Sequence, residues 1–464
     1  MSNASQNIDP AVPILSEIWQ ALDFPAEALS RVAFVSAGRL PSCFPVSDLA
    51  AASIGAACLA VSELVSLVMP APGVTVDRRL SSLWFGWSIA PDRWEMPSPW
   101  DAIAGDYQAR DGWIKLHTNA PHHRAAAVSV LQCVETPEAV AEAVGQWRAQ
   151  DLEAAIVAAN GCAAEMRSTT DWADHPQGRA LVGEPLIGQL RIACTKSGNW
   201  QPEASRPLAG IRVLDLTRVL AGPVATRFLA GYGADVLRID PPDWDEPGVI
   251  PEVTLGKRCT RLDLKDSTDR AVFERLLAGT DVLVHGYRKG ALDSLGYDEA
   301  ARQSIRPGLI DVSLSAYGHS GLWGERRGFD SLVQMSAGIA DSGMAWKQSA
   351  KPFPLPVQAL DHATGYLIAS TVIRALVTRF VDGAGTTGKL SLARTAMLLT
   401  RHASATSETA MAPMSSKDMS TEIESTYWGP AQRLKPPAAL NGIAMRWDRP
   451  ATPLGSARPE WLDG

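Results

Sequence analysis

The 464 residues lack the marks of a nucleic-acid binder. The net charge is -7, and no basic run or basic–aromatic stripe interrupts the chain, so nucleic acid is not the expected partner. Cysteine is sparse. Cys43, Cys58, Cys133, Cys162, Cys194 and Cys259 are scattered with no CxxC pair, which argues against a disulfide framework and reads as small hydrophobes in a reducing compartment. The N-terminus, MSNASQNIDPAVPILSEIW, has no basic stretch and no long apolar core, so no secretory signal is expected. No window offers the roughly 18 uncharged apolar residues of a membrane span. A GxGxxG loop is missing as well, which counts against a dinucleotide. A cytoplasmic protein without membrane contact, metal site or prosthetic group is the expectation.

Hydrophobic residues at 46% and charged ones at 20% are enough for a sizeable core, and the length suits about two to three domains. Residues 14–32 read as a short amphipathic helix. From Asp48 the run DLAAASIGAACLAVSELVSLVM reads as an Ala-rich helix whose small side chains suit tight helix packing. GVTVDRRLSSLWFGW then passes from strand to helix. GDYQARDGWIKLHT reads as a hairpin turning at Asp111-Gly112, with helices near 136–148 and 150–159 after it. CTKSGNWQPEASRPLA (194–209) is the expected interdomain linker.

Beyond the linker, strands and helices alternate. Strands are expected at 212–216, 234–240, 260–264, 281–287 and 309–318, with helices at 221–232, 267–278 and 298–305. Such alternation implies a doubly wound parallel, Rossmann-like sheet domain. A smaller α/β domain should precede it. A ligand then belongs beyond the strands' carboxyl ends, where RVLAGP brings Gly222-Pro223 to a helix start able to meet an anion. Lys257, Arg258, Arg288 and Lys289 fall in loops near this edge and could hold phosphates, although single charges there are more often only solvated. Near Asp361 an apolar helix follows a proline-punctuated segment. On these residues alone an N-cap is the simpler reading of Asp361, and a carboxylate nucleophile the sharper one.

GIRVLDLTRVLAGPVATRFLAGYGADVLRID, GKRCTRLDLK, DVLVHGYRKGALDSLGYD and RPGLIDVSLSAYGHSGLWGERRGFDSLVQMSAGI, in that order, resemble the class III CoA-transferases, the CaiB/BaiF family. The resemblance covers about residues 206–400 and includes GKLSLARTAMLL after the Asp361 helix. It implies that Asp361, in QALDHATG, is a covalent nucleophile that must stay ionised beside basic neighbours. It implies an acyl-CoA and a small carboxylic acid as substrates, coenzyme A entering only as substrate. Val219, Leu220, Lys257 and Arg327 are implied CoA neighbours by motif position. Family members that are racemases carry histidine before the aspartate of a G-x-D motif. Here the motif is Gly328-Phe329-Asp330, so transfer is preferred to racemisation.

The sequence departs from the family at Gly286, where asparagine is common, and at Ser294, where arginine is. A catalytically silent CoA-binding paralogue is therefore the alternative. PVSDLAAASIGAACLAVSELV resembles a second copy of the Asp-helix, with Asp48 as a degenerate counterpart and a cap the simpler role. The organisation expected is residues 1–195 as a small-domain half placed in front, 206–400 as the CoA-binding catalytic domain, and 401–464 as an extended tail. The resemblance implies a homodimer, interlocked or buried through the Ala-rich helices. Trp323, Trp346 and Phe353 hint at an apolar acid.

Overall fold

The computed structural model describes residues 8–193, 200–402 and 409–462. Part of the expected linker, residues 194–199 with Cys194 among them, lies outside the described residues.

The N-terminal part begins with α1 (Ala11–Ala21), β1 (Val32–Val35), α2 (Val46–Val65), β2 (Val74–Asp77), α3 (Arg78–Trp84) and β3 (Ile89–Pro91). It continues through β4 (Gly105–Gln108), β5 (Trp113–Leu116), α4 (Pro121–Leu131), α5 (Pro137–Val144), α6 (Ala149–Ala158) and β6 (Ala163–Glu165). Helices α7 (Thr169–Asp174) and α8 (Pro176–Val182) lead to β7 (Gly188–Ile192). The alternating part holds β8 (Arg212–Leu216), α9 (Ala221–Gly231), β9 (Asp235–Asp240), α10 (Ile250–Val253), β10 (Lys257–Arg261), α11 (Ser267–Ala278) and β11 (Val282–His285). After these come α12 (Glu299–Ile305), β12 (Ile310–Ser315), α13 (Asp330–Ser336), α14 (Ile339–Lys347), α15 (Ala359–Asp382), β13 (Gly385–Ser391) and α16 (Leu392–Arg401). The last strands are β14 (Met419–Thr426), β15 (Gly429–Leu434) and β16 (Ala438–Leu440).

The central sheet has seven strands in the order β10-β9-β8-β11-β12-β13-β7. The first six pair in parallel and β7 closes the edge antiparallel. Successive side chains of a strand point to opposite faces, and here both faces are covered. Val213, Val236, Val284 and Val312 face the core of α2, α9 and α15. Leu214, Leu237 and Leu283 face Phe273, Leu276 and Leu277 of α11. Burial on both faces is what an apolar parallel sheet requires, and the doubly wound expectation holds. Strand order reverses between β8 and β11, which places the crevice for a ligand at their carboxyl ends.

Three smaller sheets, β1-β2-β16, β14-β15-β3 and β4-β5-β6, complete the molecule. The hairpin at Asp111-Gly112 forms as expected, with Ala109 N–H donating to the Gly112 carbonyl at 2.9 Å.

Several expectations need correction. The strand expected at 260–264 lies at Lys257–Arg261. The boundaries at 195 and 401 are crossed by hydrogen-bonded strands: β7 joins the central sheet, β15 pairs with β3, and β16 pairs with β2. The tail is therefore built into the N-terminal sheets and is not a free wrap. Helices α2 and α15 do have the length and mean hydropathy of a membrane span, 1.6 and 1.2. They are instead packed against each other inside the fold, with 94% and 72% of their apolar windows buried. That intramolecular contact also occupies the Ala-rich surface offered to a dimer. Of the described cysteines, Cys58, Cys162 and Cys259 are buried, whereas Cys43 and Cys133 are partly exposed.

Candidate active site

A cavity of about 600 Å³ opens at the strand-order reversal. It is walled by the chain after β8 (216–221), the chain after β11 (285–293), the end of β12 and the residues before α13 (326–329). Asp361 lines it from the first turn of α15, and His122 and His123 line it from the start of α4.

Asp361 reaches this place because α15 runs close against α9. Gly365, one turn further along, permits the approach: a Cβ there would lie 2.5 Å from the Ala221 carbonyl oxygen and 2.9 Å from Val224 Cβ. Asp361 is the third residue of α15 and not its N-cap, which is Gln358 without a side-chain cap bond. The capping role is thus absent. Its amide donates to Asp330 Oδ2 at 2.9 Å. Asp330 Oδ1 in turn accepts from Gln334 Nε2, and Gln334 Oε1 accepts from the Leu355 amide at 2.7 Å.

Both carboxyls are buried, Asp330 at 1% and Asp361 at 8% exposure. Burial pushes Asp330 up to about 6, against donors that pull it down. Burial also raises Asp361 well above the usual carboxylate range, and the adjacent Asp330 charge raises it further. The expected basic neighbours are missing at this carboxyl. Among the described residues the strongest charge acting on it is another carboxylate. Neighbouring acids oppose each other's ionisation, which adds to the effect of burial on Asp361. His362, next in sequence, points elsewhere, stacking on Phe85 with centroids 5.1 Å apart.

Val219, Leu220, Arg288 and Arg327 all line the cavity. Val219 adopts φ +63°, a strained conformation for a β-branched residue, and its amide donates to Glu246 Oε2 at 2.9 Å. Arg288 is exposed, while Arg327 donates to the Asn160 carbonyl at 2.9 Å. Lys257 is a correction. It is 1% exposed, with its ammonium 2.9 Å from Asp215 Oδ2 and 3.0 Å from the Pro223 carbonyl. It ties β10 to β8 and to the start of α9, and is not among the residues that line the cavity. Trp323, Trp346 and Phe353 are not among the lining residues. Gly286 lines the mouth, and a side chain there would meet nothing within 4 Å. Ser294 instead closes a local turn onto the Ala291 carbonyl at 2.9 Å.

Sequence reasoning missed several lining residues. Arg218 lies over Trp244, 4.6 Å from its ring centroid. His123 lies edge-on to Phe329 at 5.8 Å, and His117, which does not line the cavity, stacks on the same ring at 3.7 Å. Burial pushes both imidazoles down to about 3, so they are neutral. Pro121 at the first position of α4 marks a helix start, but only the docking of β5 and β6 onto α13 brings His123 to the cavity and His117 to Phe329.

Residues 208–430 match the model of CoA-transferase family III. That stretch belongs to CoA-transferase family III. The chain is similar to an acyl-CoA transferase of Gibberella moniliformis, 30% identical over 269 residues, covering 55% of this chain and 47% of that protein. It is also similar to the succinyl-CoA:glutarate CoA-transferase of Mus musculus, 30% identical over 196 residues, covering 39% and 44%. A solved CaiB/BaiF family protein from Brucella suis is 25% identical with a TM-score of 0.39, covering 49% of this chain and 65% of that one. The chain spans about half the length of the curated relatives it matches. The matched family segment begins just before β8 and ends within β15, so it contains the cavity's strand ends and Asp361.

Proposed function

We propose that this protein is a CoA-transferase that moves CoA from an acyl-CoA thioester to a carboxylic acid through a covalent intermediate on Asp361. The supporting observation is that a buried carboxyl lines a cavity at the sheet's strand-order reversal whose lining also includes Arg218, Arg288 and Arg327. A cationic lining suits the phosphates of CoA. The thioester end would reach inward to the apolar wall of Leu220, Ala316 and Phe329.

In the first step the ionised Asp361 attacks the thioester carbonyl. The carbon–sulfur bond breaks, leaving a mixed anhydride and CoA thiolate. The thiolate then attacks the aspartyl carbonyl, releasing the donor acid and leaving an aspartyl-CoA thioester. An acceptor carboxylate attacks that thioester, and the thiolate returns to take the acyl group and restore Asp361. Desolvation makes a carboxylate more basic and so a stronger nucleophile once its proton is lost. Phenylalanine at 329 has no proton to exchange, which disfavours racemisation.

The N-terminal part would act as the family's small domain, supplied within the same chain. It packs on α13 through the Arg167 amide to the Met335 carbonyl at 3.0 Å and through Arg326 to Glu153 at 2.9 Å. A homodimer of such chains remains part of this proposal.

The test is incubation with a panel of acyl-CoA thioesters, followed by intact mass or hydroxylamine trapping, then a matrix of carboxylic acids as acceptors. An adduct on Asp361, and its absence from Asp361→Ala, supports transfer. Bound CoA without any adduct favours a silent paralogue.

A further inference from the structure

Besides the nucleophile itself, a second acid belongs to this site. We propose that Asp330 is a positioning residue for Asp361: the bond its Oδ2 accepts from the Asp361 amide fixes the first turn of α15, and its charge opposes ionisation of the neighbouring carboxyl. This inference rests on the transferase reading and deepens it.

The geometry carries the claim. Asp330 does not line the cavity. Its two oxygens are committed, Oδ2 to the Asp361 amide at 2.9 Å and Oδ1 to Gln334. Gln334 reaches on to the Leu355 amide at 2.7 Å. One carboxylate and one amide thus clamp both ends of the segment 355–361 that delivers the nucleophile. Among the described residues Asp330 supplies the one charge that acts appreciably on the Asp361 carboxyl, although Arg218, Arg288 and Arg327 line the same cavity. On the loop before α13, Arg326 is paired with Glu153, and Arg327 donates to the Asn160 carbonyl. On α9, Arg227 is paired with Glu252. On α16, Arg394 donates to Met397 Sδ at 3.2 Å. On β13, Lys389 is solvent-exposed, and His319 bonds the Leu390 carbonyl at 3.0 Å. On α2, Asp48 is held by Arg78 at 3.0 Å, and on α15 itself His362 is buried against Phe85.

The chemical consequence is a trade. Beside a second negative charge, Asp361 ionises later but attacks more strongly, because nucleophilicity rises with basicity. Burial and Asp330 together raise its proton affinity, whereas Asp330 is steadied as an anion by Gln334 and by the amides of Asp361 and Leu360.

The experiment follows the rate of Asp361 adduct formation against pH in single turnover, using the acyl-CoA that labels the wild type. In the wild type the acid limb should lie above the ordinary carboxylate range. Asp330→Asn keeps an acceptor for the Asp361 amide but removes the charge, and should move that limb down by about one pH unit, a tenfold change in ionised fraction on the limb. Asp330→Ala should move it too and also lower the maximal rate, since the amide loses its acceptor. An Asn limb that coincides with the wild type overturns the proposal while leaving transfer intact. A wild type that forms no adduct at any pH overturns both. Should Asp330→Asn fail to fold, infrared spectra of the wild type at about pH 7 serve instead. A protonated buried carboxyl band that disappears in Asp361→Asn supports the assignment, and a wild type without that band refutes it.

Discussion

Asp48 and Asp361 are the third residues of two long buried helices, α2 and α15, that pack against each other. A strand and a short helix follow each: β2 and α3 after α2, β13 and α16 after α15. Even the caps correspond. Asp77 accepts from the Leu80 amide at 2.9 Å, and Ser391 accepts from the Arg394 amide at 3.3 Å. The surroundings of the two acids are opposite. Asp48 has a fully buried side chain with Arg78 at 3.0 Å and Arg39 at 3.3 Å. Burial raises its pKa, and the two arginines pull against that rise. Asp361 lines a cavity and faces a carboxylate. Backbone position does not make an aspartate reactive. The same station on a helix holds a structural ion pair or a candidate nucleophile, according to the charge set beside it.

Removing each acid in turn is the sharpest way to break the comparison. Asp361→Ala should abolish the adduct and slow CoA transfer on the order of 10⁴- to 10⁶-fold, the scale of losing a nucleophile. Asp48→Ala should leave the adduct forming, as intact mass would show. Its cost should appear in stability. Losing one partner of a buried pair costs about 3–5 kcal/mol, and Arg78 retains Asp9 as a second partner, so the lower end is expected. Urea unfolding midpoints would measure it. An Asp48→Ala chain that is fully stable but inactive would reverse the roles assigned to the two helices.

A smaller effect concerns Asp361 and pH. Its pKa is raised on folding, so it favours the folded state while protonated, and that contribution is lost as pH rises through the folded pKa. Asn does not titrate. Asp361→Asn should therefore gain stability over the wild type at neutral pH, on the order of 1 kcal/mol, and the gain should vanish as pH falls toward the ordinary carboxylate range. Thermal unfolding at several pH values reads this directly. A gain that persists unchanged in acid would show that packing, not charge, was relieved.

The readable parts of this molecule were those decided by local pattern. Apolar runs bounded by turns placed β8 and α11 at their observed bounds, whereas Asp361 was singled out by the family resemblance, its local pattern alone favouring a cap. Partners distant in sequence were not readable. β16 pairs with β2 from more than 300 positions away, and its own residues look like loop. Lys257 was expected in a loop near the ligand edge, yet it opens β10 at the amino end of that strand, and alternation cannot say that its ammonium turns inward to Asp215. The clamp by Asp330 was in view as the last residue of Gly328-Phe329-Asp330, but its bond to the Asp361 amide exists only once α13 and α15 meet.

The last comparison is of how closely each helix is held, and its smallest effect falls at Gly55. A Cβ at Gly365 would press on the Ala221 carbonyl at 2.5 Å and on Val224 Cβ at 2.9 Å. Gly365→Ala must push α15 away from α9, with an overpacking cost of about 1–3 kcal/mol. It should also slow adduct formation by displacing Asp361. At Gly55 of α2 the same Cβ would meet Val76 Cγ2 at 3.4 Å and Phe34 Cε1 at 3.7 Å, ordinary contact distances. Alanine is favoured over glycine inside a helix by roughly 0.5–1 kcal/mol, so Gly55→Ala should be neutral or slightly stabilising, with unchanged adduct formation. Urea midpoints and adduct rates on the two variants separate the cases. Equal costs at both sites would mean that α2 is held as tightly as α15, and that tight seating is a property of the helix pair and not of the cavity-lining helix alone.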